Sequence, residues 1–169
     1  MTAFVALLRA VNVGGTGTLA MADLRAICER AGLRDPRTYL ASGNAIFSSD
    51  ESEADVKATL ETALQIHVGK PVGVIVRTGE EMAAVLTASP FAGKPSNRVV
   101  AIFLDHPPAA DALDHVSGRR VEELALGVRE IHVFYGEGMA SSKLKIPAAR
   151  SGTARNLNTI AALAKLATG

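Results

Sequence analysis

The stretch Phe4-Val-Ala-Leu-Leu8 constrains the fold more than any other, because it is apolar at every position and a strand built from it has no face that suits water. Such a strand belongs inside a sheet that is covered on both sides. The run breaks at Arg9, Asn12 and Gly14-Gly15, and polar residues with glycines at the end of a buried strand mark a candidate site.

The segments that follow alternate between helical and extended patterns. Met21, Leu24, Ile27, Cys28 and Ala31 recur at spacings of three and four, which makes one apolar helix face that Gly32 closes. Thr38 to Leu40 and Asn44 to Ser48 read as short strands about the turn residues Ser42, Gly43 and Asn44. The acidic run Asp50 to Asp55 leads a helix with Val56, Leu60, Ala63, Leu64 and His67 on one side. Its charges complement a helix dipole, which explains them without a metal. Gly69 and Pro71 end the helix, and Val72 to Arg77 alternates as a strand.

This order is that of a split βαβ, or ferredoxin-like, unit, in which two helices cover one face of an antiparallel sheet. A second pass follows. Glu80 to Ala88 reads as a helix, Arg98 to Leu104 as a strand as apolar as the first, and Ala109 to Val116 as a short helix. Arg120 to Ala125 and Glu130 to Tyr135 form a hairpin about Gly127, and Thr153 to Ala167 is a terminal helix. The expected fold is therefore α+β: two ferredoxin-like units with antiparallel sheets, residues 1–78 and 79–169, the second lacking its last strand and carrying a basic C-terminal segment with the final helix.

Length and composition agree with this. A chain of 169 residues suffices for one domain or two small ones. Eighteen basic against 17 acidic residues give +1, which excludes a strongly basic nucleic-acid binder and an acidic disordered chain. The balance is uneven, since no acid follows Glu137 while Lys143, Lys145, Arg150, Arg155 and Lys165 do. Cys28 stands alone in the apolar phase of its helix, so it reads as a core thiol in a cytoplasmic protein rather than part of a disulfide framework. The start of the chain has no secretory pattern, and no apolar run approaches the roughly 20 residues of a membrane helix.

Four stretches taken together carry a family resemblance: Arg9-Ala-Val-Asn-Val-Gly-Gly15, Met21-Ala-Asp-Leu-Arg25, Ser42-Gly-Asn44 and Gly152-Thr-Ala-Arg-Asn-Leu-Asn-Thr159. In order and spacing they resemble an uncharacterised bacterial family, domain of unknown function 1697, over essentially the whole chain. The resemblance implies a two-part α+β fold with ferredoxin-like units and no established activity. The chain departs from the family pattern at Ala10, where relatives carry glycine, and at Thr16 to Ala20, where relatives carry basic residues.

The chemical motifs are sparse. Gly14-Gly-Thr-Gly17 has neither the Gly-Lys-Ser/Thr ending of a Walker loop nor dinucleotide spacing, so glycines for a tight turn account for it. His67, His106, His115 and His132 fall in no metal or triad spacing, and no cofactor or metal is expected. The expected site is a helix start at Gly152-Thr-Ala-Arg-Asn156, with Thr153 as N-cap, Arg155 and Asn156 in the first turn and Lys143 nearby; Arg9 and Asn12 are further ligand-binding candidates. These residues suit an anionic, phosphate-bearing small molecule held without catalysis. Three alternatives stand beside it: a hydrolase or transferase using Ser141 or Ser142 with Lys143, an RNA-binding sheet using Tyr39, Phe47, Phe134 and Tyr135, and self-assembly through the incomplete second sheet. The expected state is monomer or homodimer, away from membranes.

Overall fold

The computed structural model describes residues 1–11 and 19–169, so the glycine loop and Asn12 lie outside the described residues. The chain forms two compact units, Met1–Met82 with Leu163–Gly169, and Ala83–Ala162. Among the described residues no helix is long and apolar enough to cross a membrane.

The first unit contains β1 (Thr2–Leu8), α1 (Met21–Arg30), β2 (Arg34–Thr38), β3 (Asn44–Ser49), α2 (Glu53–Val68) and β4 (Val74–Thr78). Its sheet has the order β2-β3-β1-β4 with every neighbouring pair antiparallel, as a split βαβ unit requires. β1 is buried from Phe4 to Leu8, so the apolar run occupies the central position it demands. Phe4, Ala6, Leu8, Phe47 and Val76 meet the apolar sides of α1 and α2, Leu24, Ile27, Leu60 and Leu64 among them. The opposite face, with Val5, Leu7, Ile46 and Ile75, is buried as well and includes Arg77 at 1% exposure.

Local chemistry sets the ends of the elements. Ser52 caps α2 by accepting the Asp55 N–H at 3.1 Å, and Gly69 closes it in the left-handed conformation. Thr78 and Glu81 form a reciprocal capping box at the start of α3 (Gly79–Ala88). Asn44 is fully buried, and its amide donates to Tyr39 O at 2.6 Å and Ser42 Oγ at 3.1 Å, fixing the β2–β3 connection. β2 begins earlier than its pattern suggests. Pro36 disguises the strand, but at the sheet edge a missing N–H is harmless, and a bulge with Asp35 at φ 50° absorbs the irregularity.

The second unit contains β5 (Val99–Phe103), β6 (Glu123–Leu126), β7 (Glu130–Phe134) and β8 (Thr153–Asn156), in the order β6-β7-β5-β8. This is the strand order of the first sheet, and all its pairs are antiparallel. The expectation of a missing fourth strand is corrected, because Thr153 to Asn156 pair with β5 as β8. Gly152 permits this approach: a Cβ there would lie 2.8 Å from Phe103 O and from Ile102 Cγ2. The last helix, α4 (Leu157–Thr168), therefore starts four residues later than expected, with Asn156 Oδ1 accepting the Thr159 N–H at 2.9 Å.

The crossover helices of the first unit have no counterpart in the second. One face of the second sheet, Val100, Ile102, Ile131 and Val133, is covered instead by Leu113, Leu144, Ile146 and Ala149 from irregular segments. The expected helix at Ala109 to Val116 is a short 3-10 turn, Ala112–His115.

Two residues test the backbone at the end of β1. Ala10 has φ 56°, a left-handed conformation in which a Cβ is strained. Ala10→Gly is expected to stabilise the chain by about 0.5–1 kcal/mol. Gly43 has φ 92°, and a Cβ there would lie 2.6 Å from Val11 Cγ2, so Gly43→Ala is expected to destabilise by roughly 2 kcal/mol or more. Urea denaturation midpoints check both signs, and a stabilising Gly43→Ala would contradict this account of the turn.

Candidate functional site

In the second unit two segments distant in sequence are locked side by side. Ser117 and Lys145 form an antiparallel bridge with N–H to O distances of 3.0 and 2.8 Å. The pairing is tight at Gly118, where a Cβ would fall 2.0 Å from Lys143 O. Gly118 then turns the chain with φ 69°, and Arg119 and Lys143 follow on the two sides of the bridge. Leu144 and Ile146 pack inward on the core, and alternation turns Lys143 and Lys145 to solvent. Arg119 and Arg120 are exposed too, so the two bridged segments carry four exposed cations.

The carboxylate within these segments, Glu122, is buried and held in place. It accepts the Ser142 hydroxyl in a short hydrogen bond and the Arg120 N–H at 2.6 Å. Arg119 Nε donates to the Glu122 carbonyl at 2.8 Å. The Ser142 hydroxyl holds the Glu122 carboxyl below its ordinary pKa, with help from the Arg120 and Glu122 backbone N–H groups and the Arg119 charge. Glu122 thus stays ionised inside a ring of donors and stabilises the loop that presents the cations.

These contacts bear on the serine chemistry. Ser142 donates to Glu122 and accepts the Leu144 N–H at 3.2 Å, while Ser141 donates to Gly138 O at 3.3 Å. A carboxylate with a depressed pKa is a weak general base, and Lys143 points to solvent.

The other expected site residues have structural partners. Arg155 is in β8, not a helix, and is 8% exposed; its Nη1 donates to Thr153 Oγ1 and Ala154 O, both at 2.9 Å. Burial draws its pKa down to about 10, so it remains charged at neutral pH. Thr153 is therefore a strand residue, and Asn156 is the actual N-cap of α4, which corrects the expected helix start. Arg9 is exposed beyond β1, its N–H donating to Gly73 O at 2.9 Å. Asn12 lies outside the described residues. Of the six expected residues, the two-segment surface contains Lys143. Arg119, Arg120 and Glu122 are not among the expected residues; the Arg-Arg pair after Gly118 is their mark in the sequence.

Thr153, Arg155, Glu130 and His132 share one buried face of the second sheet, with Arg155 and His132 flanking Ala101. Burial lowers the His132 pKa, against the raising effect of Glu130. Burial also pushes the Cys28 thiol up to about 12, which makes it a poor nucleophile. Tyr39, Phe134 and Tyr135 are half-buried and Phe47 is buried, so none forms an open stacking platform. Among the described residues no group of three or more His, Cys, Asp and Glu side chains is placed to hold a metal ion.

The sequence pattern of the family described as "Protein of unknown function (DUF1697)" matches residues 1–133. Among solved structures, the chain is similar to the conserved bacterial protein SP0830 from Streptococcus pneumoniae, at 26% identity and a TM-score of 0.82, covering 99% of each chain. No curated protein matches the chain.

Because the folded-state pKa of Glu122 lies below its unfolded value, its stabilisation is complete above the ordinary carboxylate range and is lost as pH falls through the folded pKa. Glu122→Gln is expected to lower the denaturation midpoint at pH 7, and its deficit against the wild type to shrink below about pH 4. A deficit that is constant with pH would assign the effect to packing instead of charge.

Proposed function

The chain belongs to the DUF1697 family of proteins of unknown function, and we propose that it is a cytosolic, non-catalytic binding protein that holds an anionic, phosphate-bearing small molecule on the basic surface of its second unit. One observation carries this reading: Arg119, Arg120, Lys143 and Lys145 are exposed on two segments pinned by the Ser117–Lys145 bridge, where Glu122 is turned inward and occupied and Glu123 is the one exposed acid beside them in sequence. Guanidinium and ammonium groups on bridged segments offer both a bidentate fork and a point charge, the two groups that recognise phosphate oxygens. A pinned loop also reduces the entropy lost on binding. The non-catalytic part rests on Ser142, whose hydroxyl is committed to Glu122 and Leu144.

The test is calorimetric titration with inorganic tripolyphosphate. Arg119→Glu with Lys143→Glu is expected to weaken binding about tenfold or more, and wild-type affinity is expected to fall as salt rises. Binding that ignores both the double reversal and salt would remove the site. Hydrolysis of the probe, lost in Ser142→Ala, would replace the binding role by a catalytic one.

A further inference from the structure

Helices α1 and α2 run antiparallel over the first sheet, with His67 in the last turn of α2 meeting Asp23 in the first turn of α1 at 3.8 Å. On their solvent side they leave a groove of about 840 Å³, within the range of small-molecule sites. Its apolar lining comes from Ile27 on α1, Ala31 at its C-cap, and Ala58, Ala63 and Ile66 on α2. Ile66 is 80% exposed, a large apolar side chain that water gains nothing by covering. Small residues opposite it make the surface a trough rather than a flat face. From Ala58 to Ile66 the trough follows α2 for about 12 Å, two turns and more.

Charge at the trough has one sign. Arg30 lines it, is exposed, and makes no ion pair among the described residues. The surrounding charges are internally matched, Arg25 with Glu29 at 3.3 Å and His67 with Asp23 at 3.8 Å. No carboxylate lines the trough, and the Thr59 and Thr62 hydroxyls add neutral donors. We propose that the α1–α2 groove binds a small apolar anion, an aromatic or aliphatic carboxylate or sulfonate, with its ring or chain over Ala63 and Ile66 and its charge on Arg30. This site is independent of the phosphate-binding reading, since it lies in the first unit and takes a ligand whose main contact is apolar.

The experiment titrates the full chain with 8-anilinonaphthalene-1-sulfonate and, separately, with neutral Nile red. Each probe is expected to bind one site per chain with enhanced, blue-shifted fluorescence. Thr62→Trp, at an exposed position, fills the groove and is expected to abolish both signals. Arg30→Glu is expected to weaken the sulfonate about tenfold and leave Nile red unchanged. Lys143→Glu is expected to change neither, which separates this groove from the basic surface. Circular dichroism melts unchanged in both groove variants show that the fold is intact. The proposal is overturned if Thr62→Trp binds both probes as the wild type does, if Arg30→Glu leaves the sulfonate affinity intact, or if light scattering shows a dimer that Thr62→Trp dissociates without any probe.

Discussion

Each unit depends on a central strand that has to be covered on both faces and paired along both edges. β1 lies between β3 and β4 and β5 between β7 and β8, and every residue from Phe4 to Leu8 and from Val99 to Phe103 is buried. Burying such a strand is favourable at about 25 cal/mol per Å² of apolar area, but only if its N–H and C=O groups are matched. Ladders on both sides supply that match. The requirement explains Gly152, which lets the chain close on β5 as a fourth strand, and Gly43, whose carbonyl accepts the Leu8 N–H at 2.8 Å where β1 ends.

The same requirement decides which charged residues can meet a ligand. Arg155 pairs across β5 from His132, on a face where Glu130 and Thr153 are also buried. A guanidinium taken from water needs acceptors, and Thr153 Oγ1 and Ala154 O are among those it has. Holding it there serves the sheet. Lys143 has the opposite environment: its neighbours Leu144 and Ile146 provide the anchoring, so its own side chain is left to solvent. Similar sequence neighbourhoods thus give one buried cation and one presented cation, and alternation about the buried residues separates them.

Much of this fold was legible because its signals are local. The helices announce themselves by apolar spacing, by the acidic run ahead of α2 and by Gly69 at its end. β1 and β5 are legible as apolar runs. β8 was not, because Thr153 before an apolar helix imitates an N-cap, and only the approach to β5 reveals the strand. β2 was hidden by Pro36, which an edge tolerates and a centre does not. The basic segments were half legible. Lys143 and Lys145 show in the sequence, whereas their approach to the segment that carries Arg119 depends on a bridge between residues 117 and 145 that no local pattern encodes.

The two units solve one topological problem in different ways, and the difference bears on where a ligand is held. With regular helices over its sheet, the first unit has its apolar groove at the seam between α1 and α2. With irregular segments in the same role, the second unit has to fix each segment by specific hydrogen bonds, and Glu122 is the centre of that fixing. A helix satisfies its own backbone and needs little from its side chains beyond an apolar face. A loop that covers a core commits carbonyls, hydroxyls and a carboxylate inward, as Ser142 and Glu122 show. The buried carboxylate of the second unit is thus a consequence of how its core is closed.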